Sequence, residues 1–362
     1  MKIIHVVGAR PNFMKIAPII RELNNYPEFH SILLHTGQHY DETMSDIFFK
    51  DLVIPPPDIN LEVGSGSHAE QTAEIMMRFE PILIEQKPDL VLVVGDVNST
   101  LACSLVAAKL HIPIAHVEAG VRSFDRGMPE EINRVVTDAL ADLLFTPSRE
   151  ADANLAHEGI APEKIHFVGN VMVDTLLDAV ELAAQRQTWL KWNFKPHEYA
   201  VLTLHRASNV DEINTISEIM SALSQVTTYL PILFPIHPRT SKRLVEANLD
   251  NKVQSIPGLI LSEPLGYLDF LCLLSQAKMV LTDSGGIQAE TTMLDVPCLT
   301  LRWNTEWGVT IAQGTNVLVG TDHDRIIEEA KRILEGHGKQ GSRPELWDGN
   351  TAQRIATILT RF

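Results

Sequence analysis

Carboxylates, histidines and glycine-rich turns gather at regular intervals along this chain. Asp96 and Glu118 each close a strongly apolar run, in Gly95-Asp96 and His116-Val117-Glu118-Ala119-Gly120. Glu130 and Glu131 follow in Pro129-Glu130-Glu131-Ile132-Asn133-Arg134, where a helix is expected to begin. Carboxylates converging on one site raise one another's pKa, which allows proton transfer near neutral pH. Two plainer readings stand beside this one. Asp96 and Glu118 could be buried caps or salt-bridge partners, and one of Glu130 and Glu131 could simply face a helix N-terminal dipole. A second set of groups suits anions. Asp283-Ser284-Gly285-Gly286 opens a helical pattern, and free backbone N–H groups at a helix start favour a phosphate. A serine N-cap with glycines for tightness explains the same four residues equally well. Arg10 and Lys15 lie at the start of the first helix, where the dipole disfavours cations unless an anion sits between them.

These residues need elements to position them. Short apolar runs alternate with amphipathic stretches: Ile3–Val7, Ile32–Leu34, Leu90–Val94, Ile112–Val117, Leu143–Phe145 and Ile165–Val168 are expected strands. The rhythm restarts with Ala200–Leu204, Ile232–Ile236, Leu259–Leu261, Met279–Leu281, Cys298–Leu301 and Val317–Val319. The uninterrupted apolarity of Leu90–Val94 indicates a parallel strand buried on both faces. The pattern is α/β and doubly wound. A chain of 362 residues exceeds one ordinary α/β core. Two domains are expected, 1–170 and 171–349, with the last helix, 350–362, lying back on the first. The polar and aromatic stretch 187–197 reads as the region between them.

In open α/β sheets ligands bind outside the carboxyl ends of the strands. Polar clusters follow one expected strand after another: 8–12, 36–39, 95–100, 116–120, 205–206, 237–240 and 282–286. One such cluster is explained by a helix cap; a series at equivalent ends is not.

Several function classes are excluded or weakened. A net charge of -16 opposes non-specific nucleic-acid binding. No apolar run approaches membrane-spanning length. The N-terminus reads as an immediate strand and lacks the features of a signal peptide. Cys103, Cys272 and Cys298 sit in apolar surroundings and suit a reducing cytoplasm. There is no G-x-G-x-x-G, Walker A loop or G-x-S-x-G elbow. His116-x-Glu118 and Pro297-Cys298 are halves of a zinc deaminase motif, but its second cysteine is absent.

Taken together, Gly8-Ala9-Arg10-Pro11, Gly95-Asp96, HVEAG at 116–120, Pro129-Glu130-Glu131-x-Asn133-Arg134 and Asp283-Ser284-Gly285-Gly286-x-Gln288 resemble the non-hydrolysing UDP-N-acetylglucosamine 2-epimerase family. The resemblance runs from residue 3 to about residue 320. It implies two Rossmann-like domains facing across a cleft, the GT-B type fold. It implies interconversion of UDP-N-acetylglucosamine and UDP-N-acetylmannosamine, through elimination of UDP to a 2-acetamidoglucal and its re-addition. By motif, Asp96, Glu118 and Glu130 match the catalytic carboxylates and His205 a catalytic histidine. Arg10, Lys15, His237, Ser284, Gly285, Gly286 and Glu290 match positions that hold UDP, with Glu290 on the ribose. The resemblance further implies a homodimer and no metal or nicotinamide cofactor. Gln38, His39 and Gln71 resemble part of a regulatory UDP-sugar pocket, but Glu70 stands where regulated members carry arginine, so strong regulation is not expected. The chain also departs from the common Thr-Glu-Arg-Pro at Thr305-Glu306-Trp307-Gly308, and from Gln-Glu-Glu at Gln288-Ala289-Glu290. Trp307 could pack against its domain or alter substrate preference. Alternatives at this stage are an epimerase of a diacetamido or uronic acid UDP-sugar, a GT-B glycosyltransferase and a UDP-sugar sensor.

Overall fold

The computed structural model describes residues 1–38 and 56–362, apart from the Arg10 side chain. His39 lies outside the described residues. The chain forms two compact units, 1–177 with 345–362, and 178–344.

In the first unit the order is β1 (Lys2–Val7), α1 (Arg10–Leu23), β2 (His30–His35), β3 (Ile59–Asn60), α2 (His68–Gln86), β4 (Leu90–Val94), α3 (Asn98–Lys109), β5 (Ile114–Val117), α4 (Pro129–Leu140), β6 (Leu143–Thr146), α5 (Arg149–His157), β7 (Ile165–Phe167) and α6 (Val171–Gln185), whose first half belongs here. The strands pair in parallel in the order β3-β2-β1-β4-β5-β6-β7. Every residue of β4 is buried, as its continuous apolar sequence requires. Ile4, Val6, Val91 and Val93 build one face of the core, against Ile75, Phe79 and Leu83 of α2 and Ala102 and Cys103 of α3.

The second unit runs β8 (Ala200–Thr203), α7 (Ala207–Val210), α8 (Ile213–Val226), β9 (Ile232–Pro235), α9 (Pro238–Glu246), α10 (Asp250–Gln254), β10 (Leu259–Ser262), α11 (Tyr267–Ser275), β11 (Met279–Thr282), α12 (Gly285–Met293), β12 (Cys298–Thr300), α13 (Gly308–Ala312), β13 (Asn316–Leu318) and α14 (His323–Leu334). Its parallel order is β10-β9-β8-β11-β12-β13. The stretch 187–197 packs within this unit. Phe194 stacks on Tyr199 with centroids 4.8 Å apart, and Thr188 Oγ1 donates to Asp269 at 2.6 Å.

The last helix, α15 (Thr351–Leu359), joins the first unit. The buried Asp174 carboxylate accepts from the Thr351 and Ala352 N–H groups at its start, at 3.2 and 2.8 Å. Buried Trp347 donates to the Pro147 carbonyl at 2.9 Å.

Both sheets reverse their winding once. The reversal falls between β1 and β4 in the first and between β8 and β11 in the second. At such a reversal the helices leave in opposite directions and open a crevice at the strands' carboxyl ends. The polar segments 8–12, 95–100, 205–206 and 283–286 all lie at these two places.

Candidate functional site

In the first unit Asn12 builds the crevice. Its amide donates to the Val94 carbonyl at 3.1 Å, and its Oδ1 accepts from Gly8 and Ala9 N–H at 3.1 and 3.0 Å. Strand ends β1 and β4 are therefore tied by one side chain. One turn along α1, Lys15 donates to Glu118 Oε1 at 2.7 Å, both side chains being 10% exposed. Gly95 lies beneath this pair at φ +68°, and a Cβ there would come 3.0 Å from Lys15 Nζ. Glu118 has φ +74°, a left-handed backbone that a side-chain-bearing residue adopts only when its surroundings enforce it. Its Oε2 is buried and has no hydrogen-bond partner among the described residues. Burial raises the Glu118 pKa above the usual carboxylate value; Lys15 and Arg134 pull it down, Asp96 pushes it up, and the net shift is upward. A buried carboxylate with one satisfied and one unsatisfied oxygen is suited to holding or accepting a proton.

Asp96 is held by the fork of Arg134, whose Nη2 and Nε donate to Oδ2 at 2.8 and 3.1 Å. Asn133 donates to the Asp96 carbonyl at 2.8 Å. Glu130 occupies the first turn of α4, the helix that supplies both. Glu131, next to it, is 3% exposed and turns away from solvent to bond Ser123, Phe124 and Arg134. The sequence left open which of the two is a plain helix-start carboxylate; Glu131 is the one committed to the fold's interior.

A chain of buried ions lies behind these groups. His116 Nδ1 meets Asp138 Oδ1 at 2.6 Å and Nε2 meets the Gly95 carbonyl at 2.8 Å. Asp138 also accepts from Gly120 N–H at 3.0 Å and pairs with Arg122 at 2.7 Å, and Arg122 reaches Glu158 at 2.6 Å. Burial raises the Asp138 carboxyl, but His116, Arg122 and the Gly120 N–H outweigh it and hold it below its usual value. His116 thus fixes the residue before Asp96, and Asp138 the turn after Glu118. Sequence reasoning missed this network, because its pairing joins residues on β5 and α4.

In the second unit Asp283, fully buried, organises the end of β8. It accepts from the N–H groups of His205 and Arg206, from Asn209 Nδ2, and from His205 Nδ1 at 2.8 Å. Burial raises its pKa, and the His205 and backbone bonds reverse the shift to below the carboxylate norm. With Nδ1 held by Asp283, Nε2 is the remaining nitrogen of the His205 ring. The His237 ring lies 5.7 Å from the His205 ring and caps α9 through Nδ1. Ser284 is the N-cap residue of α12, yet its side chain makes no capping bond. The capping explanation of this serine therefore fails, and the N-terminus of α12 is left with its hydroxyl and backbone donors. Gly285 permits the close approach of Glu306: a Cβ there would lie 2.3 Å from Glu306 Oε1 and 3.0 Å from Trp307 Nε1. Glu306 in turn pairs with Arg302 at 2.8 Å. Trp307 is 5% exposed and packs over this helix start. Gly286 follows in the same turn, and Glu290 is buried one turn further.

Gln38 and Gln71 are spent internally. Gln38 Oε1 accepts from Ser99 Oγ at 2.6 Å, and Gln71 bonds Asn98 at 2.8 Å and the Gly64 carbonyl at 2.9 Å. Glu70 closes a capping box with Ser67 at the start of α2.

Residues 21–360 match the family model for UDP-N-acetylglucosamine 2-epimerase. The chain is 46% identical over 361 residues to a UDP-N-acetylglucosamine 2-epimerase homolog of Methanococcus maripaludis, with 99% of each covered. The chain belongs to the UDP-N-acetylglucosamine 2-epimerase family. Membership makes it an isomerase-type enzyme, and its two parallel sheets are those of the GT-B type fold. A crystal structure of the Methanocaldococcus jannaschii family member, in complex with UDP-GlcNAc and UDP, superposes with TM-score 0.94 at 44% identity and full coverage of both chains. Another family relative, the UDP-2,3-diacetamido-2,3-dideoxy-D-glucuronate 2-epimerase of Pseudomonas aeruginosa, is 41% identical over 365 residues and 100% of each chain.

Proposed function

We propose that the chain interconverts UDP-N-acetylglucosamine and UDP-N-acetylmannosamine. The observation that carries this reading is Glu118: a buried carboxylate of raised pKa, beside Lys15 and Asp96, with one oxygen unpaired. The C2 proton of the sugar is not adjacent to a carbonyl, so simple enolisation is unavailable. A carboxylate removes that proton while the C1–O bond to UDP breaks, giving a 2-acetamidoglucal and UDP. Return of UDP to C1, with a proton delivered to the opposite face of C2, completes the inversion. Asp96, Glu118 and Glu130 are assigned the proton transfers. His205 is assigned the part of a catalytic histidine, and His237, Ser284, Gly285, Gly286 and Glu290, with Arg10 and Lys15, are assigned to UDP; the α12 N-terminus favours the diphosphate as it departs.

Incubation with UDP-N-acetylglucosamine in D₂O, followed by NMR, tests the reading. Epimerised product should carry deuterium at C2. Product without deuterium excludes a solvent-exchanging elimination.

The Pseudomonas aeruginosa relative favours a second reading, in which the substrate is a diacetamido uronic acid UDP-sugar. Parallel assays with both sugars separate the two. We also assign a homodimer. The supporting feature is a stripe on α2 in which Met77 and Ile84 are 62% and 58% exposed. Light scattering checks it. The three buried free thiols fit a cytoplasmic setting, and among the described residues no helix is long and apolar enough to cross a membrane.

A further inference from the structure

Glu131 looks at first like a helix-start carboxylate. Its environment says otherwise. It is 3% exposed, and at the first turn of a helix the dipole alone does not require burial. Its two oxygens collect four donors. Oε2 accepts from Ser123 N at 2.9 Å, from Ser123 Oγ at 3.0 Å and from Arg134 Nη1, and Oε1 accepts from Phe124 N at 2.9 Å.

Two consequences meet in this one side chain. The first concerns Arg134. Its guanidinium is a planar fork with fixed N–H directions. Nη1 is committed to Glu131, while Nε and Nη2 are committed to Asp96 Oδ2 at 3.1 and 2.8 Å. With three directions specified, the plane cannot turn, and Asp96 is presented at a set angle. The Asp96 side chain is 27% exposed against 3% for Arg134. The cation is therefore hidden and the carboxylate is accessible. The second consequence concerns the segment that leaves Glu118. It runs through Ser123 and Phe124, and Phe124 holds a left-handed φ of +59° while 73% exposed. A residue so exposed gains little from packing to enforce that conformation. The bond from its N–H to Glu131 supplies the constraint.

We propose that Glu131 is a positioning residue for epimerisation, acting through Arg134 to orient and charge-balance Asp96 and through Ser123 and Phe124 to fix the segment after Glu118. This rests on the assignment of Asp96 to proton transfer made above. Arg134 also lowers the Glu118 pKa, so a displaced guanidinium reaches that carboxylate as well.

The test is Glu131→Gln, assayed by NMR for kcat, KM and pH profile with UDP-N-acetylglucosamine and the diacetamido uronic acid analogue, beside Asp96→Asn. The amide keeps the volume but turns two N–H donors towards groups that are donors themselves. Expected is a fall in kcat of about a hundredfold, the scale of a slightly misplaced reacting group, with KM within about threefold. The acid limb of the kcat profile should move, because Glu131→Gln changes both the charge beside Arg134 and the place of its guanidinium next to Asp96 and Glu118. Loss of structure alone does not move that limb. Unchanged kcat in Glu131→Gln, or lowered kcat with an unmoved limb, overturns the proposal when Asp96→Asn is inactive. An active Asp96→Asn overturns the Asp96 assignment instead. If Glu131→Gln does not fold, Arg134→Lys serves: it keeps the buried charge but cannot span both carboxylates. A folded Arg134→Lys with normal kcat overturns the proposal.

Discussion

Replacing Lys15 by Met isolates the electrostatics of the first crevice. The change keeps most of the stem and removes the ammonium that lies 2.7 Å from Glu118 Oε1. Coulomb's law at that distance, with an effective dielectric near 20, gives about 6 kcal/mol before the site relaxes. Neighbouring opposite charges shift carboxylate pKa values by about 1–3 units, or about 1.4–4 kcal/mol. The smaller range is the better guide, because water can enter where the ammonium was. Burial already raises the Glu118 pKa and Lys15 is the strongest opposing influence. Its removal must therefore raise the pKa further. If Glu118 acts in its ionised form, the acid limb of kcat/KM moves to higher pH by about 1–3 units. Activity lost at neutral pH then returns as pH rises, though KM for the UDP-sugar stays elevated because a cation assigned to UDP has gone. The assay is NMR of epimer interconversion across pH, with the Glu118 carboxyl carbon followed directly in labelled protein. A limb that stays in place, or moves to lower pH, refutes the reasoning.

Asp138→Asn should destabilise the first unit by about 3–5 kcal/mol, since it leaves His116 and Arg122 buried without their shared anion. In calorimetry that is a fall in Tm of about 6–20 °C. Because the folded Asp138 carboxyl lies below its usual value, the difference from wild type should shrink as pH drops below about 3.8; a gap that persists there contradicts the ion-pair account. Burial lowers the pKa of His5 to about 3 and that of His35 to about 4, so both fold neutral. Stability should fall as pH drops below 6.5, by up to about 1.4 kcal/mol per unit for each, and His5→Gln should flatten that slope in urea titrations. Gly285→Ala places a methyl group against Glu306 and Trp307; UDP affinity by calorimetry should fall about tenfold or more, and unchanged affinity would remove the α12 turn from the UDP site.

The sheets were legible because parallel strands buried on both faces must read as apolar runs, as Leu90–Val94 does. The two-residue β3 escaped notice, since an edge pairing so short leaves no run to see. The role of 187–197 was hidden for another reason. Thr188 finds its partner Asp269 far along the chain, and the stack of Phe194 on Tyr199 is a packing choice that composition does not announce. In the site, carboxylates at strand ends stood out by position. Their partners did not: which of Glu130 and Glu131 turns inward depends on where Ser123 and Phe124 present their N–H groups. Likewise packing and selectivity carry equal weight for Trp307 in sequence alone. Its burial against the Gly285 turn supplies the packing role directly.

The return of residues 345–362 to the first unit orders events during synthesis. A ribosome releases the chain from its N-terminus, so the first unit emerges early but lacks α15 and the Trp347 anchor until residues 345–362 have followed. The second unit, continuous from 178 to 344, has all its residues sooner. For that interval the Asp174 carboxylate and the surface that receives α15 stand open to solvent. A nascent chain stalled before residue 345 thus holds every residue of the second unit while the first still lacks its last helix.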